Sequence, residues 1–75
     1  MKTPKTLKQL AVAVSKIAGK DKYITAQEEI TVYREIHGGP TIEFNVYHED
    51  LKFFKGKTTG EAFALFKAKH EEVYG

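Results

Sequence analysis

The period of the apolar residues changes twice along this 75-residue chain, and this limits the folds that the chain can adopt. In the first segment, apolar residues recur every three or four positions, as on the buried side of a helix. They are Leu7, Leu10, Ala11, Val14, Ile17 and Ala18. Thr3 and Pro4 suit the N-cap and first position of a helix, and Gly19 suits its end. The pattern therefore predicts a first helix over residues 4–18.

From Tyr23 the period becomes two, as in a strand with one buried face. One face of this long strand carries Ile24, Ala26, Ile30, Val32 and Ile36, and the other carries Tyr23, Thr25, Gln27, Glu29, Thr31, Tyr33 and Glu35. A second strand over residues 41–48 has the same alternation. Its inward residues are Ile42, Phe44 and Val46, and its outward residues are Thr41, Glu43, Asn45 and Tyr47. A glycine-rich turn between the strands predicts a hairpin.

The register of this hairpin is constrained by the two faces. Inward residues must lie opposite inward residues, so the loop must contain an odd number of residues. A loop of residues 37–39 pairs Ile30 with Val46 inside the sheet. A loop of residues 38–40 instead sets Glu35 directly opposite Glu43, and two like charges in a directly opposed strand pair are unfavourable. We therefore predict the register with the loop 37–39.

The last third of the chain returns to the helical period. Leu51 to Lys55 is short and apolar enough for a third strand or an extended connector. Thr58 and Glu61 then have the spacing of a capping box, which opens a second helix over residues 59–73. Its apolar side is marked by Ala62, Phe63, Leu65, Phe66, His70 and Val73.

These elements predict one α+β domain over residues 1–75, in the order α-β-β-(β)-α. Both helices have one apolar stripe, so they are expected to pack on one face of a small two- or three-stranded antiparallel sheet. The other face of the sheet is then open to solvent. The predicted core consists of Leu10, Val14, Ile30, Val32, Phe44, Val46, Leu65 and Phe66.

The chain contains no cysteine, which favours a reducing compartment and therefore the cytoplasm. Its longest apolar run near the N-terminus, residues 10–14, is too short for a signal peptide or a membrane span. No membrane partner is expected.

Residues that carry chemistry are sparse. Ser15 is the only serine, and no histidine lies near it in sequence. Gly56, Lys57 and Thr58 match the end of a phosphate-binding loop, but Leu51 stands where that motif requires a glycine. We therefore expect a chain that is not an enzyme, with no catalytic residue and no cofactor.

The strand residue His48 is followed by the carboxylates of Glu49 and Asp50. Consecutive residues of a strand point to opposite faces, so these side chains do not converge without a turn. A solvated strand end is the preferred interpretation, and no metal site is expected.

The net charge of +2 conceals basic ends and an acidic middle: residues 1–22 carry +5, residues 23–50 carry −5, and residues 51–75 carry +2. A basic cluster can bind phosphates. The candidate nucleic-acid-binding residues are Lys5, Lys8, Lys16, Lys20, Lys22, Lys55 and Lys57. The single arginine, Arg34, argues against base recognition, which relies on arginine. Nucleic-acid binding is therefore the alternative function.

Several motifs loosely resemble the double-stranded RNA-binding domain. They are the order of elements, the start at residues 3–7, the turn Gly39-Pro40 followed by Phe44, and Gly56-Lys57-Thr58 before the last helix. The resemblance implies an RNA ligand held by lysines that open the last helix. In this chain those positions are Thr58, Thr59, Gly60 and Glu61.

The favoured hypothesis is a binding or regulatory module that recognises a protein partner, or a second copy, through the open side of the sheet. Tyrosine is enriched in protein interfaces, and acidic residues on this face would repel phosphates. The candidate protein-binding residues are Tyr33, Tyr47, Glu29 and Glu43.

Overall fold

The computed structural model describes residues 3–31 and 41–75. The elements are α1 (Leu7–Ala18), β1 (Ile24–Thr31), β2 (Thr41–His48), β3 (Lys52–Gly56) and α2 (Thr59–Tyr74). The three strands form an antiparallel sheet in the order β1-β2-β3, and both helices pack against it. The predicted α+β architecture is therefore confirmed, and the segment after residue 51 is a third strand. No helix in the described residues is both long and apolar enough to cross a membrane.

The start of α1 differs from the prediction. The N-cap is Thr6 and not the predicted Thr3. The Thr6 hydroxyl accepts a hydrogen bond from the Gln9 N–H at 3.1 Å. Pro4 precedes the helix and is buried; its carbonyl accepts a hydrogen bond from the Thr59 hydroxyl at 2.6 Å. The predicted end is confirmed, since Gly19 has a φ of 82° that favours glycine.

The close approach of β3 and α2 depends on two local features. The first is the N-cap of α2 at the predicted residue, since the Glu61 N–H donates to the Thr58 hydroxyl at 3.0 Å. Gly56 supplies the second: a Cβ at this position would lie 2.5 Å from the backbone nitrogen of Ala62. The absence of a side chain at Gly56 therefore lets the end of β3 pack directly against the first turn of α2.

The register of β1 and β2 is four residues away from the predicted one. Ile30 lies opposite Ile42, not Val46, and Glu29 lies opposite Glu43. The shift is even, so every described residue keeps its predicted face. Beyond the Ile24–His48 pair, the Glu49 N–H donates to the Tyr23 carbonyl at 3.1 Å, which continues the same register. The predicted loop 37–39, with Val32 and Tyr33, lies outside the described residues.

The core lies between the helices and the even-numbered residues of the sheet. Its buried hydrophobic residues are Leu10, Val14, Val46, Ala62, Phe63 and Phe66, with Phe44 and Phe54 partly buried against them. Two predicted core residues are wrong: Ile30 is 57% exposed and Leu65 is 46% exposed. Ile30 lies in the second-last described pair of the β1–β2 ladder, opposite Ile42, which is also exposed. Leu65 lies about 100° around α2 from Phe66, which turns it away from the sheet.

Candidate interaction surface on the open sheet face

Neither helix of the described residues covers the face of the sheet that is formed by the odd-numbered strand residues. In the first row, Tyr47 lies opposite Thr25 on one side and Phe53 on the other. In the second row, Asn45 lies between Gln27 and Lys55, and in the third row Glu29 lies opposite Glu43. We call this surface the open face and define it by Thr25, Gln27, Glu29, Glu43, Asn45, Tyr47, Phe53 and Lys55.

Three aromatic rings lie together at one end of the open face, and we call them the aromatic cluster: Tyr47 and Phe53 of the face itself, and Tyr23, which directly precedes β1. The ring centroids of Tyr47 and Phe53 are 4.9 Å apart, with the planes inclined at 54°. Those of Tyr23 and Tyr47 are 6.1 Å apart, in an edge-to-face arrangement. Phe53 is 72% exposed and Tyr23 is 63% exposed. The cluster is therefore a contiguous aromatic surface in contact with solvent.

The other end of the open face is charged. Glu29 and Glu43 lie directly opposite each other, which is unfavourable for two carboxylates. The Lys55 ammonium lies 3.6 Å from a carboxylate oxygen of Glu29 and 3.8 Å from one of Glu43. Lys55 thus offsets the repulsion between the two glutamates, and its own charge is engaged on this face.

Three of the four predicted protein-binding residues, Tyr47, Glu29 and Glu43, lie on the open face, while Tyr33 lies outside the described residues. Phe53, the most exposed ring of the aromatic cluster, is absent from the sequence prediction. Once residues 52–56 pair with β2, the alternation of strand faces places Phe54 inside and Phe53 outside.

The seven candidate lysines do not form one patch. Lys5, Lys8 and Lys16 line an open groove along α1, while Lys20 lies at the turn between α1 and β1. Lys55 lies on the opposite side of the sheet, and Lys57 is exposed just after β3.

Lys22 is engaged in an ion pair, with its ammonium 2.7 Å from Asp50 Oδ2. Their hydrogen bond raises the pKa of Lys22 and lowers the pKa of Asp50. The same Asp50 oxygen accepts a hydrogen bond from the Tyr74 hydroxyl at 3.1 Å. Burial and this hydrogen bond raise the pKa of Tyr74. Asp50 therefore links the turn after β2 both to Lys22 and to Tyr74 at the end of α2.

His48 is fully buried, so its interpretation as a solvated strand end is wrong. The alternation of β2 places it on the inner face with Phe44 and Val46. Its ring packs near Phe66 and His70, with centroids 5.9 and 6.2 Å away. Within the described residues, no group of three or more potential metal ligands converges.

The hydrogen bonds of His48 assign its tautomer. Nδ1 accepts from the backbone N–H groups of Asp50 at 3.0 Å and Leu51 at 3.1 Å, so the neutral ring carries its proton on Nε2. Nε2 is buried and has no hydrogen-bond partner among the described residues. Burial lowers the pKa of His48; His70 and Lys22 act in the same direction, against the carboxylates of Asp50 and Glu49.

We expect this arrangement to make the fold sensitive to mild acid. Unfolded histidine has a pKa of about 6.5, and the folded pKa of His48 is lower. Its stabilising contribution is therefore complete above pH 6.5 and declines as pH falls toward the folded pKa, with a limiting slope of about 1.4 kcal/mol per pH unit. Chemical denaturation at a series of pH values between about 7.5 and 5 measures this slope.

His48→Asn is the matched control for this prediction. The Asn side-chain oxygen can accept from the same turn N–H groups, but the residue does not titrate. We expect a less stable protein, because the side chain is smaller, with a shallower pH dependence than wild type. A wild-type stability that is constant over this range, or an unchanged slope in the variant, would contradict the assignment.

A comparison of the chain with protein families, with curated proteins and with solved structures found no match in any of the three.

Proposed function

We propose that the chain is a small non-enzymatic binding module of the cytoplasm, which recognises a protein partner or a second copy of itself through the open face. The aromatic cluster is the observation that carries this proposal. Tyr47 and Phe53 place aromatic area on strands, which hold it more rigidly than a loop would, and Tyr23 packs beside them just before β1. Aromatic side chains of this kind are enriched among the residues that dominate protein binding.

The surroundings of the cluster also suit a protein interface. Glu29, Glu43 and Lys55 form a charged region at one end, where charges act chiefly on specificity and association rate. β1 and β3 are the outer strands of the described sheet, and an outer strand can pair with an extended segment of another chain. A partner can therefore combine contacts to the rings with backbone hydrogen bonds along one edge.

Nucleic-acid binding remains the second candidate, because Lys5, Lys8 and Lys16 line one groove on α1. Two observations weaken it. Lys22 and Lys55 are already paired with carboxylates, and Lys55 lies on the other side of the sheet.

The double variant Tyr47→Ser/Phe53→Ser tests the proposal. We expect association to weaken by about tenfold or more, because each aromatic side chain at the centre of an interface contributes on the order of 1–2 kcal/mol. The fold should persist, since Phe53 is largely exposed and Tyr47 only half-buried. Sedimentation equilibrium measures self-association, a pull-down measures partner binding, and circular dichroism checks folding.

Lys8→Ser/Lys16→Ser, on α1, is the matched control and should leave association unchanged. The opposite result, with association lost in the lysine variant and retained in the aromatic variant, would move the binding surface to α1. Loss of affinity for a DNA or RNA fragment as salt rises would then identify the ligand as nucleic acid.

A further inference from the structure

We infer that the open face binds an extended segment with two arginine side chains, one on the aromatic cluster and one at Glu29 and Glu43 in place of Lys55. This inference rests on the proposed function and adds the chemistry of the partner. Its basis is charge complementarity: an exposed aromatic surface and two facing carboxylates share one side of the sheet.

The aromatic cluster has the properties of a cation-binding surface. The faces of tyrosine and phenylalanine rings carry negative potential and attract a guanidinium placed over them. The Phe53 and Tyr47 planes are inclined at 54°, so the two rings are not stacked face to face, and Phe53 is 72% exposed. Arginine suits this site better than lysine, because its planar, weakly hydrated group stacks on aromatic rings.

The charged end already holds a cation that belongs to the chain itself. Lys55 contacts Glu29 and Glu43 at 3.6 and 3.8 Å, and its side chain is half exposed. An exposed pair at such distances is weak. A guanidinium can instead form two parallel hydrogen bonds with a carboxylate. Lys55 therefore acts as an internal competitor that an arginine of the partner displaces.

The spacing of the two subsites sets the spacing of the arginines. Tyr47 and Glu43 are four residues apart on β2 and share the open face. At about 3.3 Å per residue this separation is about 13 Å. In an extended segment, side chains four residues apart lie on one side with the same spacing. The fitting pattern is arginine, three residues, arginine.

The test is a titration of the 15N-labelled protein with the peptide Ac-GRGSGRG-NH2, followed by amide chemical shifts. We expect saturable shifts at Thr25, Tyr47 and Phe53. The matched peptides Ac-GQGSGQG-NH2 and Ac-GEGSGEG-NH2 should bind at least about fivefold more weakly, because they lack the cations that the rings and carboxylates attract.

Three variants separate the subsites. Lys55→Ala should bind the arginine peptide about two- to fivefold more tightly, because the two carboxylates are released. Lys67→Ala, on α2, makes the same change in net charge and should leave affinity nearly unchanged. Phe53→Ala should bind about two- to fivefold more weakly, with thermal melting as the control for folding.

Failure of this inference is distinguishable from failure of the proposed function. If the glutamine or glutamate peptide binds the open face as tightly as the arginine peptide, or if Lys55→Ala weakens binding, the inference is overturned and the open face remains the interface. If arginine-peptide shifts occur only in α1, and Tyr47→Ser/Phe53→Ser also leaves association unchanged, both are overturned.

Discussion

Val46→Asp is expected to abolish the folded state. Val46 lies in the central strand β2, is 0% exposed and belongs to the buried core. An aspartate there would place a carboxylate in the apolar layer, where an unpaired charge costs several kcal/mol even after relaxation. A chain of 75 residues has a stability of about 4–11 kcal/mol. One substitution can therefore remove most or all of it.

Ile42→Asp is the matched control, since Ile42 lies on the same strand and the same face but is 48% exposed. Circular dichroism and thermal melting of the two variants measure the difference. We expect a cooperative transition for Ile42→Asp and none for Val46→Asp. Retention of the wild-type melting temperature by Val46→Asp would mean that the assignment of strand faces is wrong.

Phe66→Ala should lower the free energy of unfolding by about 3–5 kcal/mol, the usual cost of removing a buried phenylalanine. Phe66 is 0% exposed and joins α2 to the sheet, where its ring meets Phe54 edge to face at 5.6 Å. Its neighbours cannot all move to fill the space, because His48 is held by hydrogen bonds to the backbone. Urea denaturation measures the loss.

Leu65→Ala provides the comparison, because it removes a neighbouring apolar side chain that is 46% exposed. Its cost should stay below about 1 kcal/mol, as is usual for surface positions. Equal losses in the two variants would show that the buried side of α2 is assigned wrongly.

Periodicity predicted which face each strand residue occupies, but it could not fix the register. Registers that differ by an even number of residues bury the same side chains, so Ile30 opposite Val46 and Ile30 opposite Ile42 fit the same pattern. The prediction also rejected one register because it opposed two glutamates. In the structure, Glu29 and Glu43 do lie opposite each other, and Lys55, from a third strand, lies close to both.

Burial was predicted less well for residues whose side-chain polarity does not match the face on which they lie. His48 continues the inward alternation of Val46, yet its polar side chain suggested a solvated end. The two backbone N–H donors that satisfy its Nδ1 belong to the turn after β2, which the sequence does not locate. Leu65 shows the converse: its large apolar side chain was assigned to the core, but it is 46% exposed.

The candidate surface could be predicted in part. The alternation of β2 placed Tyr47 and Glu43 on one face, and that of β1 placed Glu29 there too. The sequence did not settle whether residues 51–55 form a strand. Phe53 was therefore missed, and Lys55 was grouped with the lysines of α1 although it lies across the sheet from them.

Photo-crosslinking tests the central claim, that the open face is the binding surface, most directly. A benzoylphenylalanine in place of Phe53 places the reactive group on the aromatic cluster. The same residue in place of Val12, which is 45% exposed in the lysine-lined groove of α1, is the control. On irradiation of cells that express each variant, we predict protein crosslinks from position 53 that exceed those from position 12. Crosslinks from position 12 to protein or nucleic acid, with none from position 53, would contradict the account.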